Sequence, residues 1–230
     1  MQVTSEILMK LLMRLKVAFV GILFIFALYF YNVNVPNIFR VQYLNLENAS
    51  KCRMIPSTYY LSITSITKNS KHYIVEWIEY HRLVGVEHFF LLDNDSDDGL
   101  NETLKYYVDR NIVTLIPWSN TYYRDVDLKV LSNTQQTGII HALEKYGCQT
   151  HWSALIDDDE FIVHKNPNKS LHEVLSEYEP YGGLALGWLW FGSNGHVEKP
   201  DKLVIESYTA CSEKLDILYK SIVRPALMKR

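Results

Sequence analysis

From Val17 to Tyr31 the chain reads VAFVGILFIFALYFY without a charge, and the ILMKLLMRLK before it is apolar apart from three basic residues whose stems can snorkel. Extension to Val35 supplies the roughly 20 residues that a membrane span needs. The following NVNVPNIF lacks the small-residue pattern of a signal cleavage site, so residues 17–35 read as an uncleaved transmembrane signal anchor. Lys10, Arg14 and Lys16 against Glu6 place residues 1–16 in the cytoplasm and the rest on the lumenal side, a single-pass type II arrangement. Residues 36–57, with Pro36, Pro56 and no clear period, read as a stem.

Beyond the stem, strand and helix patterns alternate. YLSITSI (Tyr60 to Ile66) is a β-branched run. Tyr73, Ile74, Trp77, Ile78, His81 and Val84 then recur at helical spacing, with Ser70 as the expected cap and Gly85 as the stop. HFFLL (His88 to Leu92) has the continuous apolar character of a strand buried on both faces. A helix over Leu100–Val108, a strand over Ile112–Ile116, a helix near Leu131–Tyr146 and a strand over Ser153–Ile156 follow. Strands separated by helices predict an α/β fold with a mainly parallel central sheet over residues 58–230. Binding residues are then expected past the C-terminal strand ends, at a switch point in strand order.

Composition narrows the field. The 230 residues are 48% hydrophobic and 21% charged, which excludes a disordered chain. A formal charge of −3 carries none of the basic excess that a nucleic-acid partner requires. Cys52, Cys148 and Cys211 show no CxxC spacing and allow at most one bridge. Sequons at Asn48, Asn94, Asn101 and Asn168 are compatible with a lumenal domain.

Two acidic clusters fall at predicted strand ends: Asp93-Asn94-Asp95-Ser96-Asp97-Asp98-Gly99 and Asp157-Asp158-Asp159-Glu160. An EF-hand fails on the first, because Asp98 stands where glycine is needed and Leu104 where glutamate is needed. A polar turn accounts for either cluster alone, whereas two at equivalent strand ends point to a cation or to hydrogen-bond donors. In extended backbone Asp157 and Asp159 face one way and Asp158 the other, so the outer pair can hold Mn²⁺ or Mg²⁺ against the oxygens of a diphosphate. An acid/base pair for hydrolysis fits less well, since glycosidase carboxyls stand about 5 Å or more apart across a bond. His196, in a loop flanked by Gly192 and Gly195, either faces a substrate or is bonded locally. Trp188, Trp190 and Phe191 offer sugar-stacking surface, with core packing the expectation for at least two of them. His81 reads as a core histidine.

KNSKHYIVEWIEYHRLVGVEHFFLLDNDSDDG, WSALIDDDEFIV, GLALGWLWFGSNGH and KSIVRP, in that order across residues 60–225, resemble the successive motifs of glycosyltransferase family 92. That resemblance implies a GT-A-like nucleotide-binding fold, a DxD motif at Asp157 and Asp159, Mn²⁺, and galactose transfer from a UDP-sugar donor to a glycan acceptor in the Golgi. It also implies that Lys68, Asn69, Asp93, Asn94 and Asp95 lie by the nucleotide. An inverting transfer needs a carboxylate to take the acceptor proton, for which Glu206 and Glu160 are candidates. Because Arg230 follows KSIVRP closely, a C-terminal part is expected to be missing; the second reading is a truncated, inactive nucleotide-binding or partner-binding protein.

Overall fold

Side-chain alternation divides each buried strand between two cores. In β2 (His88–Asp93), Phe89 and Leu91 pack with Leu61, Ile63, Trp77 and Trp152, while Phe90 and Leu92 pack on the opposite face with Trp118 and Ala142. The computed structural model describes residues 52, 54, 56–119, 134–166 and 168–228. The predicted anchor at residues 17–35 therefore lies outside the described residues, and among those described no helix is long and apolar enough to cross a membrane.

β1 (Tyr59–Thr67) leads into α1 (Ile74–Val84), β2, α2 (Leu100–Val108) and β3 (Val113–Pro117). After α3 (Thr134–Tyr146) and β4 (Thr150–Leu155) come α4 (Leu171–Ser176), β5 (Gly183–Gly187), α5 (Val204–Ser207) and β6 (Tyr219–Val223). The sheet order is β3-β2-β1-β4-β6-β5. Strands β3, β2, β1 and β4 run parallel, and β6 pairs antiparallel with both β4 and β5. The chain adds strands outward from β1 to β3 and then returns to the other side of β1 with β4. This reversal makes the β1/β4 boundary the switch point, where the loops diverge and leave a crevice.

Three expectations need correction. Ser70 does not cap α1 with its side chain: its carbonyl accepts the Tyr73 and Ile74 N–H groups, and its hydroxyl is drawn to Asp158. The acidic segment after β4 is not extended. Glu160 N–H bonds to the Asp157 carbonyl at 3.2 Å, closing a turn, so strand alternation does not govern where Asp157 to Asp159 point. Nor do Trp188, Trp190 and Phe191 enter the core; Leu189 is the buried residue among them, and Trp190 is 53% exposed. Gly85 does end α1 as expected, in the left-handed conformation at φ 114°. His81 is a core histidine. Its Nδ1–H donates to the Trp77 carbonyl, its Nε2 accepts the Ile162 N–H, and burial pushes it down to about 3, so it stays neutral.

The cysteine arithmetic resolves to one bridge, Cys52–Cys148, across 96 positions of sequence. It ties the segment before β1 to the turn that joins α3 to β4. Closing so long a loop removes denatured-state entropy worth up to about 4–5 kcal/mol. Replacing Cys148 with Ser is expected to lower stability by about 2–5 kcal/mol. Denaturant melts of the oxidised protein and the variant measure this, and coincident midpoints would refute it.

Candidate functional site

A cleft of about 400 Å³ opens at the β1/β4 boundary. Ile66, Thr67 and Lys68 supply its β1 side, Asn94 follows β2, Gln135 comes from α3, and Asp157, Asp158 and Asp159 come from the turn after β4. The turn is held from behind by α1. The indole N–H of Trp77 donates to the Glu160 carbonyl at 2.6 Å, and the Tyr80 hydroxyl donates to the Ile162 carbonyl at 3.0 Å. Together with the His81 contact to Ile162, these fix the main chain as it leaves the acidic turn.

Asp157, Asp158 and Glu160 each have bonded partners of their own. Asp157 takes Lys220 Nζ at 2.5 Å and the Gln135 amide. Asp158 takes the Thr67 hydroxyl at 2.6 Å and the Ser70 hydroxyl; burial pushes its carboxyl up, and these two donors pull it back. Glu160 is buried, its Oε2 accepting the Asp157 N–H at 2.9 Å and its Oε1 lying 3.1 Å from Lys220 Nζ. Burial pushes the Glu160 carboxyl up as well. Asp159 opens to solvent at the mouth, and partial desolvation followed by the charge of Asp157 pushes it up. Lys220 thus pairs with two of the four consecutive carboxyls, Asp157 and Glu160.

These residues fit a hard divalent cation in chemical kind and in unbalanced charge. No group of three acidic, histidine or cysteine side chains able to hold a metal occurs among the described residues, so a bound ion would need ligand oxygens to complete its shell.

The other predicted residues separate into two sets. Lys68 and Asn94 line the cleft, and the Asn94 side-chain oxygen is buried with no hydrogen-bond partner among the described residues. Asn69 instead ties the loop after β1 to the loop after β2, and Asp93 closes a turn within the latter. Asn69 Oδ1 accepts the Asp97 N–H, its own N–H reaches the Ser96 hydroxyl, and Asp93 accepts the Ser96 N–H. Asp95 is exposed, with φ 55°, and does not line the cleft. His196 is exposed with Nε2 3.2 Å from the Ser207 carbonyl, the local bonding that was its alternative. Glu206 is exposed on α5 and outside the cavities described here.

Two further cavities adjoin the turn. One, of about 280 Å³, runs from Asp159 and Glu160 to Trp188, Trp190, Phe191 and Tyr208. The other, of about 290 Å³, reaches from Asp159 past Tyr73 to Lys199 and Lys202. Glu76 braces the α5 wall that both use, accepting the Val204 and Ile205 N–H groups at 2.7 and 3.1 Å. Lys220, Gln135, Thr67 and Ser70 were not assigned from sequence; the position of Lys220 in the KSIVRP motif was the available signal.

The glycosyltransferase family 92 model matches residues 58–228. A glycosyltransferase family 92 protein of Oryza sativa subsp. japonica is 32% identical over 174 residues, covering 72% of this chain and 27% of that protein. One of Arabidopsis thaliana is 28% identical over 184 residues, covering 73% and 29%. A β-1,4-galactosyltransferase of Caenorhabditis elegans is 30% identical over 105 residues, covering 45% and 24%. The matched stretch is thus less than a third of the length of these curated relatives.

Lys220 is held above the ordinary lysine value, since its pairing with Asp157 and Glu160 outweighs its desolvation. Its contribution to stability is therefore fully present at pH 7 and lost only as pH rises beyond about 10. Lys220→Met should destabilise the protein at pH 7 by about 1–3 kcal/mol, the penalty for a charge left without its partner. The deficit should shrink toward pH 4 as the raised Glu160 carboxyl takes up its proton. Thermal melts across pH test this, and a deficit that does not vary with pH would count against it.

Proposed function

The chain belongs to glycosyltransferase family 92, and from that premise we propose that it transfers a hexose, in the leading reading galactose, from a UDP-sugar to a glycan acceptor through a GT-A-like site. One observation carries the reading: three carboxylates, Lys68 and the unpartnered Asn94 oxygen converge on one cleft at the sheet's switch point. Lys68 suits phosphate oxygens. Asn94 Oδ1 suits an N–H or hydroxyl of the nucleoside. The likeness to a β-1,4-galactosyltransferase supports galactose as the sugar.

Transfer requires the acceptor oxygen to bond to the anomeric carbon as the bond from that carbon to the diphosphate oxygen breaks. The electron pair departs on UDP, and the acceptor proton passes to a carboxylate. Asp159 and Glu160 line the adjoining cavity, whereas Glu206 stands outside it. Asp157 and Asp159 would hold Mn²⁺ or Mg²⁺, which when bound offsets charge on the departing diphosphate. Asp158, bonded to Thr67 and Ser70, fixes the turn on β1 and keeps its neighbours facing the cleft.

The Cys52–Cys148 bridge supports a lumenal, oxidising compartment such as the Golgi, with residues 17–35 as the membrane anchor. Incubated with UDP-galactose, Mn²⁺ and mixed glycan acceptors, the full chain should release UDP. Asp159→Ala should cut release by about 100-fold or more, the scale of losing one group that stabilises developing charge. Release that persists undiminished in EDTA would remove the metal from this reading.

A further inference from the structure

The donor cleft leaves the aromatic cavity without an occupant. Among the described residues Asp159 alone lines both, so a molecule in one touches the other only there. We propose that the aromatic cavity holds the terminal pyranose of the acceptor glycan, an inference that rests on the glycosyltransferase reading above.

A pyranose has an apolar C–H face and a rim of hydroxyls, and it needs a flat apolar wall beside hydrogen-bond acceptors. The cavity provides both. Trp188 and Trp190 lie with ring centroids 4.4 Å apart at 35°, and the Trp190 indole N–H is tied to an Asp216 carboxylate oxygen at 2.7 Å. Asp216 is itself placed by its N–H bond to the Trp188 carbonyl at 2.7 Å, and Ser212 N–H donates to the Trp190 carbonyl at 2.8 Å. These bonds hold a large aromatic side chain at the surface, 53% exposed, when its own burial would otherwise be favoured. A tryptophan tied by its indole N–H at the rim of a cavity is preorganised for a ligand face, since it has less side-chain freedom to lose on binding.

The opposite side of the cavity is acidic, with Asp159 at the mouth and Glu160 buried behind it. A purely apolar ligand would desolvate the exposed Asp159 carboxylate without supplying a donor, whereas sugar hydroxyls supply donors. A hydroxyl bonded to Asp159 in this cavity would stand at the boundary with the donor cleft, where transfer requires it. The cavity's 280 Å³ lies at the lower end of small-molecule sites, a size suited to one sugar residue with the rest of the glycan outside.

Saturation-transfer NMR on the full chain tests this, using methyl glycosides of glucose, galactose, mannose and N-acetylglucosamine alongside UDP and UDP-galactose. At least one methyl glycoside should show saturated ring protons. Trp190→Ala should weaken its binding about fivefold or more, the value of an aromatic face, and Trp190→Phe should restore most of it. UDP binding should persist in Trp190→Ala and weaken in Lys68→Ala, where glycoside binding persists. Tyr208→Ala provides a second change in the same wall should Trp190→Ala fail to fold. UDP binding with no glycoside signal, or a glycoside signal indifferent to Trp190 and Tyr208, overturns the inference and leaves the donor reading standing. A glycoside signal that depends on Trp190 in a protein that does not bind UDP instead sinks the donor reading. If UDP-galactose displaces the glycoside where UDP does not, and its galactose protons depend on Trp190, the cavity holds the transferred hexose and the acceptor assignment falls.

Discussion

Negative charge concentrated at the end of one buried strand is the constraint around which the rest of the molecule is arranged. Four acidic residues in succession follow β4, and desolvation raises the cost of ionising Asp158, Asp159 and Glu160. The fold meets that cost with donors from four separate elements: hydroxyls from the β1 end, an amide from α3, an amine from β6 and the turn's own backbone. The compensation is incomplete at Asp159, which also has the widest access to solvent and to the neighbouring cavities. A site short of positive charge is a site prepared for a cationic or hydrogen-bond-donating ligand.

Rigidity at this turn comes from polar bonds whose donors and acceptors are themselves fixed by burial in the core. Trp77, Tyr80 and His81 belong to the face of α1 that packs into the main core, yet each also spends its polar atom on the main chain between Glu160 and Ile162. The burial that fixes the helix therefore fixes the turn. Polar bonds in a dry interior are strong and intolerant of displacement, so the carboxylates are presented from a stiff base. The segment around Trp188 and Trp190 is built differently, from a half-buried and an exposed ring held by bonds to the Ser212–Asp216 segment.

Much of the parallel half was legible in the residues. HFFLL and the run from Tyr60 to Ile66 became central strands because continuous apolar or β-branched segments bounded by helices have few alternatives. The Leu100–Val108 helix matched its predicted bounds. Strands β5 and β6 were not predicted, because GLALG and YKSIV are short, partly exposed and stable only through pairing with each other and with β4. At the site, Asn94 and the acidic run were placed by their position just past predicted strand ends, while Lys68 was expected there only through the family resemblance. Asn69 and Asp93 sit in equally polar stretches, but the geometry of their loops turned both toward the Ser96–Asp97 segment.

The sequence alone settled that acidic side chains gather at the exit of a buried strand, because that follows from local order: an apolar run, then four carboxyls. Tertiary structure decided which groups answer them. Lys220 is 63 positions from Asp157 and Ser70 is 88 from Asp158, and no local pattern encodes such meetings. They exist because β6 inserts antiparallel beside β4 and because β1 lies on β4's other side, an order fixed by how the whole sheet buries its two faces.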